Sequence, residues 1–209
     1  MSRAVFCTSY IQTNPRRYQD WIDYYTEFFH NDDIDLLMFN DGPADYQLDL
    51  KKTRLVCWQP HLGRATVWVF PGWKRSFSQG LRWCRDHNYD RIAHIESDCY
   101  IHPKAKEEFM TAYGKDGYYC GFCKAYNFPE TALQILNSQP IINFFLDKYS
   151  CEDNLRENID FEKSVLEGLR PIYILNGDRY EGVKDRFNNQ YTFLSGVTLT
   201  EFKSLYGLS

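Results

Sequence analysis

Short apolar runs recur along this chain. Each is closed by polar residues and followed by a stretch with helical spacing. Ala4 to Ser9 (AVFCTS), Ile34 to Phe39 (IDLLMF), Leu55 to Trp58, Arg91 to Ile95 (RIAHI), Gly117 to Lys124 and Pro171 to Leu175 (PIYIL) read as strands. Between them, Tyr18, Trp21, Ile22, Tyr25 and Phe29 share one helical face, as do Trp73, Phe77, Leu81 and Cys84. Asn14-Pro15 reads as a cap and first turn, so a helix starts there. Further helices are predicted over 103–113, 129–137, 140–149 and 158–168. Strands alternating with helices predict an α/β class with a mainly parallel central sheet flanked by helices.

The 209 residues suit a single domain with a sizeable core. The net charge of −4 argues against nucleic acid, whose binders carry a basic stripe. No run reaches the ~18 apolar residues of a membrane span, and Met1-Ser-Arg-Ala-Val-Phe-Cys lacks the long apolar stretch of a signal peptide. Seven cysteines without framework spacing read as free thiols in a reducing compartment. The expectation is a cytoplasmic protein. The aromatic content of 17% suits grooves that stack on flat ligands, and equally suits a rich core.

In open α/β sheets ligands bind at the carboxyl ends of the strands. That rule selects Thr8-Ser9-Tyr10, Asp41 and Glu96-Ser97-Asp98, each directly after an apolar strand. Along an extended chain Glu96 and Asp98 point to the same side. Two carboxylates there make an oxygen-rich site suited to Mn²⁺ or Mg²⁺. Lys74 and Arg75, near the start of a helix, could grip a diphosphate. His94, inside a strand, reads as a satisfied core histidine. Asn40-Asp41-Gly42-Pro43 is also a turn signal, so Asp41 has two open readings.

A strand ending in an acidic, D-x-D-like triplet, about a hundred residues after an N-terminal nucleotide-binding strand, resembles the GT-A glycosyltransferases. The phrases Gly72-Trp-Lys-Arg-Ser-Phe and His94-Ile-Glu-Ser-Asp resemble small bacterial and chlorovirus-encoded members; a viral member would work in the host cytoplasm. The resemblance implies one GT-A domain over 1–209, with a nucleotide-binding part to about residue 100 and an acceptor part beyond it. It implies that Glu96, Ser97 and Asp98 bind metal, ribose and diphosphate, with Asp178 as a third metal ligand. Thr8, Ser9 and Tyr10 would hold the base, and Asp41 would accept the uracil imino proton. Asp160 or Glu162 would act near the sugar carbon under attack. The implied reaction moves a hexose or deoxyhexose from a UDP-sugar, with UDP-glucose as default, to a glycan or glycoprotein hydroxyl. The alternatives are a nucleotidyltransferase making a nucleotide sugar, against which the glycine-free Cys7-Thr-Ser-Tyr-Ile-Gln counts, and a non-catalytic nucleotide- or glycan-binding module.

Overall fold

The computed structural model describes residues 2–66, 69–123, 127–149, 154–155, 161–175, 191–193 and 199–207. The chain begins with β1 (Arg3–Ser9), α1 (Pro15–Phe28), β2 (Asp35–Asp41), β3 (Thr53–Trp58), α2 (Pro71–Asp86) and β4 (Arg91–Ile95). It continues with β5 (Cys99–Ile101), α3 (Lys106–Tyr113), β6 (Gly117–Cys123), β7 (Phe128–Asn137), α4 (Gln139–Tyr149), α5 (Phe161–Gly168), β8 (Ile172–Ile174), β9 (Tyr191–Phe193) and α6 (Leu199–Tyr206). One seven-stranded sheet has the order β3-β2-β1-β4-β7-β6-β8, and β5 pairs with β9 outside it. Every neighbouring pair in the large sheet is parallel except the two made by β7. The fold is the mainly parallel α/β arrangement that the strand-helix alternation predicts.

The central strands are apolar at successive positions because helices cover both faces. Val5 and Cys7 point into a core with Trp21 and Tyr25 of α1 and Phe109 and Tyr113 of α3. Ala4 and Phe6 point into a second core with Phe77 and Leu81 of α2 and Phe145 of α4. The Asn14 side chain accepts the Arg17 amide and Pro15 takes the first helical position, so α1 starts where its cap predicts.

Residues 129–137 overturn a sequence expectation. They are not a helix but most of β7, an antiparallel strand inside the sheet. Ala, Leu, Gln and Glu favour helices, and burial on both faces removes the polar-apolar alternation that would mark a strand. The register between β6 and β7 shifts at Cys120 and Gly121, which face Gln134 and Glu130. This bulge carries β7 across to the end of β4, where the Ala132 carbonyl accepts the Glu96 amide at 2.8 Å.

A buried polar chain crosses the sheet next to that point. Tyr118 donates to Gln134 Oε1 at 2.8 Å, which orients the Gln134 amide nitrogen toward His94 Nδ1 at 3.2 Å. The other ring nitrogen, Nε2, lies 3.3 Å from Thr8 Oγ1. Burial pushes the His94 pKa down to about 3, so the folded protein keeps this ring neutral. The unfolded chain takes up a proton near the ordinary value of 6.5. Stability is therefore retained above pH 6.5 and lost as pH falls below it, by roughly 3 kcal/mol at pH 4 from this group. Melting curves between pH 7.5 and 4.5 should show the gap between wild type and His94→Gln narrowing with acidification. A constant gap would mean that His94 is not held neutral.

Candidate functional site

The chain passes from β1 outward to β2 and β3, then crosses back through α2 to place β4 on the other side of β1. The strand order reverses there, and the crevice at the carboxyl ends of β1 and β4 is where such sheets take ligands. Glu96-Ser97-Asp98 stands at this edge, directly after β4. It is not extended, as simple alternation along a strand predicts. The Cys99 amide bonds the Glu96 carbonyl at 3.0 Å, folding the triplet into a β-turn that leads into β5.

Tyr18 of α1 holds the neighbouring loop beside this turn. Its hydroxyl accepts the Tyr10 amide at 3.0 Å, and buried Ser97 lies beside it. Arg17, one residue earlier, donates from Nη2 to Asp98 Oδ2 at 2.9 Å. The side chain of Asp98 is 13% exposed. Cys7 lies beneath the turn. Burial, then the nearby Glu96 and Asp98 charges, pushes its thiol pKa well up, with Arg17 opposing, so the thiol stays neutral.

The other residues singled out by sequence have definite places. Thr8 meets His94, and Ser9 donates to the Phe39 carbonyl and to Asn40 Oδ1, so both join β1 to the framework. The Tyr10 ring stacks on His61, with centroids 3.9 Å apart and planes 7° from parallel. Asp41, at the end of β2, is buried and carries several donors at once. Arg75 forms a very short ion pair with Oδ1, His61 Nδ1 lies 2.7 Å from Oδ2, and the Gly63 amide donates to Oδ2 at 2.8 Å. The Leu62 amide adds contacts at 3.2 and 3.3 Å. This carboxylate holds the loop at residues 61–63 and is committed within the protein.

Arg75 is correspondingly occupied, since it also donates to the carbonyls of Trp58 and Pro60. Lys74 is buried, with Nζ 5.8 Å from the centre of the Tyr149 ring. Gly72 allows a close approach, but by Asp41: a Cβ there would meet Asp41 Oδ2 at 2.0 Å. Glu162, in the first turn of α5, accepts from Thr131 Oγ1 at 2.9 Å. Thr131 precedes Ala132, which holds Glu96, so Glu162 is tethered to the same bulge. Asp160 and Asp178 lie outside the described residues.

Two arrangements result. Tyr10, Tyr18, Arg17, Ser97 and Asp98 converge between β1 and β4, and Asp41, Arg75 and His61 form a clamp at the end of β2 that meets Tyr10 through the His61 ring. Sequence reasoning missed Arg17, His61 and Asn40. Asn40 is fully buried and joins β1 to the turn by accepting from Ser9 and Ile11 and donating to the carbonyls of Gly42 and Pro43. Its position in Asn-Asp-Gly-Pro was a usable signal. Arg17 and His61 carry no local signature.

Among the described residues, no group of three or more His, Cys, Asp or Glu side chains assembles as a metal cage. Mg²⁺ and Mn²⁺ do not need one. Such ions use one or two carboxylates and complete an octahedron with water and phosphate oxygens. The two carboxylates of the turn fit that chemistry when a diphosphate supplies the other donors.

Neither a sequence-family profile nor a curated protein matches this chain. Solved structures do. A glycosyltransferase involved in glycosylating the major capsid of PBCV-1 superposes with a TM-score of 0.61 at 10% identity, over 99% of each chain. An active-site mutant of LgtC gives a TM-score of 0.61 at 11% identity, over 98% of this chain and 95% of that one. A protein from Desulfovibrio desulfuricans G20 described as a putative nucleotide-diphospho-sugar transferase gives 0.50 at 13% identity, over 84% of this chain and 80% of that one. The chain therefore has the GT-A-type fold. No helix among the described residues is long and apolar enough to cross a membrane.

The clamp and the turn should respond differently to loss of charge. Asp41→Asn removes the carboxylate opposite a largely buried guanidinium, a change that costs about 3–5 kcal/mol. For a chain of this length that is a drop of roughly 10 °C in melting temperature. Asp98→Asn leaves a guanidinium that is one-third exposed and can turn to solvent, so it should shift melting by no more than about 3 °C. Calorimetric melts of the two variants check this, and equal losses would contradict the division of roles.

Proposed function

We propose that this chain is a metal-dependent glycosyltransferase that moves a hexose or deoxyhexose from a UDP-sugar to a glycan hydroxyl. UDP-glucose is the first donor to test, and Mn²⁺ or Mg²⁺ the ion. The observation that carries this reading is the position of Glu96-Ser97-Asp98. The acidic turn closes β4 at the crossover crevice of a GT-A-type sheet, with Tyr10 held beside it through Tyr18. Asp98 and Glu96 would hold the ion, and Ser97 the nearby ribose or phosphate. Once bound, the ion would supply charge neutralisation for the departing diphosphate.

The base would bind against Tyr10. Its ring already stacks on His61, so these two rings define the aromatic face available to a nucleobase. Asp41 would contribute by fixing His61, because its carboxylate is committed to Arg75 and the loop. Thr8 and Ser9 would shape the pocket floor through their bonds to His94 and Asn40. Lys74 and Arg75 would support the walls. Glu162 is the acid proposed to assist at the acceptor hydroxyl or the anomeric centre, since Thr131 tethers it to the bulge that holds Glu96. Asp160, Asp178 as a third ligand, and the division of the chain near residue 100 remain part of the same proposal.

A panel of nucleotide sugars, with Mn²⁺ or with EDTA, tests this by mass spectrometry of the released nucleotide. UDP should appear with Mn²⁺ and vanish with EDTA or in Asp98→Ala. Release from GDP- or CMP-sugars instead, or release indifferent to EDTA, would contradict the reading. Glu162→Gln should lower turnover about 10²–10⁴-fold, the usual contribution of acid-base assistance, while UDP affinity stays within about threefold. Full turnover in Glu162→Gln would move the acid elsewhere.

A further inference from the structure

Arg17 belongs to the first turn of α1, where its backbone amide bonds the Asn14 cap, while its guanidinium reaches the turn after β4. The contact to Asp98 is a 2.9 Å charge-assisted bond across 81 residues of sequence. The neighbouring Tyr18 accepts the Tyr10 amide, so the start of α1 is tied to the loop after β1 by Tyr18 and to the turn after β4 by Arg17. The two cations that the sequence offers for a diphosphate are placed differently. Arg75 is locked by Asp41 and two carbonyls, and Lys74 is buried beside Tyr149. The guanidinium that touches the acidic turn is that of Arg17.

We propose that Arg17 is a positioning residue that couples binding of the divalent cation to binding of the nucleotide diphosphate. The inference rests on the functional reading above. Arg17 and a divalent ion both draw on the charge of Asp98, and at that distance they repel each other. An ion entering alone meets an acid already neutralised by a guanidinium. A diphosphate changes the balance, because its negative oxygens attract the ion and the guanidinium together, and Arg suits phosphate by its planar fork. Arg17 thus weakens binding of the ion alone and strengthens binding of the ion with diphosphate. By linkage the coupling is reciprocal, so the ion raises nucleotide affinity by the same factor.

Calorimetric titrations of the full chain with Mn²⁺ alone, UDP alone, and Mn²⁺ in the presence of UDP test this in wild type, Arg17→Gln and Arg17→Lys. Wild type should show strong mutual tightening. Arg17→Gln should bind Mn²⁺ alone about threefold or more tighter than wild type, while the mutual tightening shrinks about tenfold, within the usual range of coupling between sites. Arg17→Lys should keep the weak binding of Mn²⁺ alone and recover part of the coupling. Arg17 is about one-third exposed, so melting of Arg17→Gln should stay close to wild type; if it does not, Arg17→Lys carries the comparison. Coupling within twofold of wild type in Arg17→Gln, or weaker binding of Mn²⁺ alone, would overturn the proposal while leaving the functional reading standing. A wild-type protein that binds neither Mn²⁺ nor UDP would overturn both.

Discussion

β1 is hydrogen-bonded on both sides by parallel strands, β2 on one flank and β4 on the other. Parallel neighbours require crossovers, and β4, returned through α2 to the side of β1 opposite β2, opens a crevice at the carboxyl end of β1. Both faces of the strand are covered by helices, so polar side chains find room mainly at the strand ends. The loop at Tyr10, the clamp at Asp41 and the turn at Glu96 are consequences of that burial. The polar residues within the sheet, His94, Gln134 and Thr8, are tolerated because they bond one another.

The strand ends hold two aspartates with opposite assignments. Asp41 is surrounded by donors from α2, the loop at 61–63 and backbone amides, and it organises the wall beside Tyr10. Asp98 sits with another carboxylate two residues away and takes its countercharge from α1. The first is a structural ion pair whose removal leaves a buried guanidinium unmatched. The second is a cluster whose negative charge suits a cationic ligand. Position after an apolar strand is common to both, so position alone does not tell the carboxylate clamped by donors from the one beside a second acid.

The first half of the fold was legible because its signals are local. AVFC, DLLMF and RIAHI are apolar runs ended by polar clusters, and Asn14-Pro15 marks a helix start whose cap bond is present. β7 was illegible because PETALQILN carries helix-favouring residues, and only the sheet around it makes it a strand. In the candidate site, the place of the acidic triplet directly after β4 was legible. Its turn geometry was not, because that depends on the return of the chain into β5. Arg17 and His61 become visible only in three dimensions, since the first reaches across 81 residues and the second reaches Tyr10 and Asp41 from a loop without a motif. Lys74 and Arg75 look alike in sequence, two cations at a helix start, and only the structure shows their different contacts, Lys74 beside Tyr149 and Arg75 on Asp41.

A nucleotide diphosphate held in the crevice between β1 and β4 through an ion on the acidic turn is what the proposed function requires. Anomalous diffraction from crystals grown with Mn²⁺ and UDP would locate the ion directly. The account predicts one Mn²⁺ peak within about 2.0–2.5 Å of an Asp98 carboxylate oxygen, as hard cations require, with the base against Tyr10. A nucleotide bound elsewhere, or one bound in this crevice with no ion at Asp98, would contradict it.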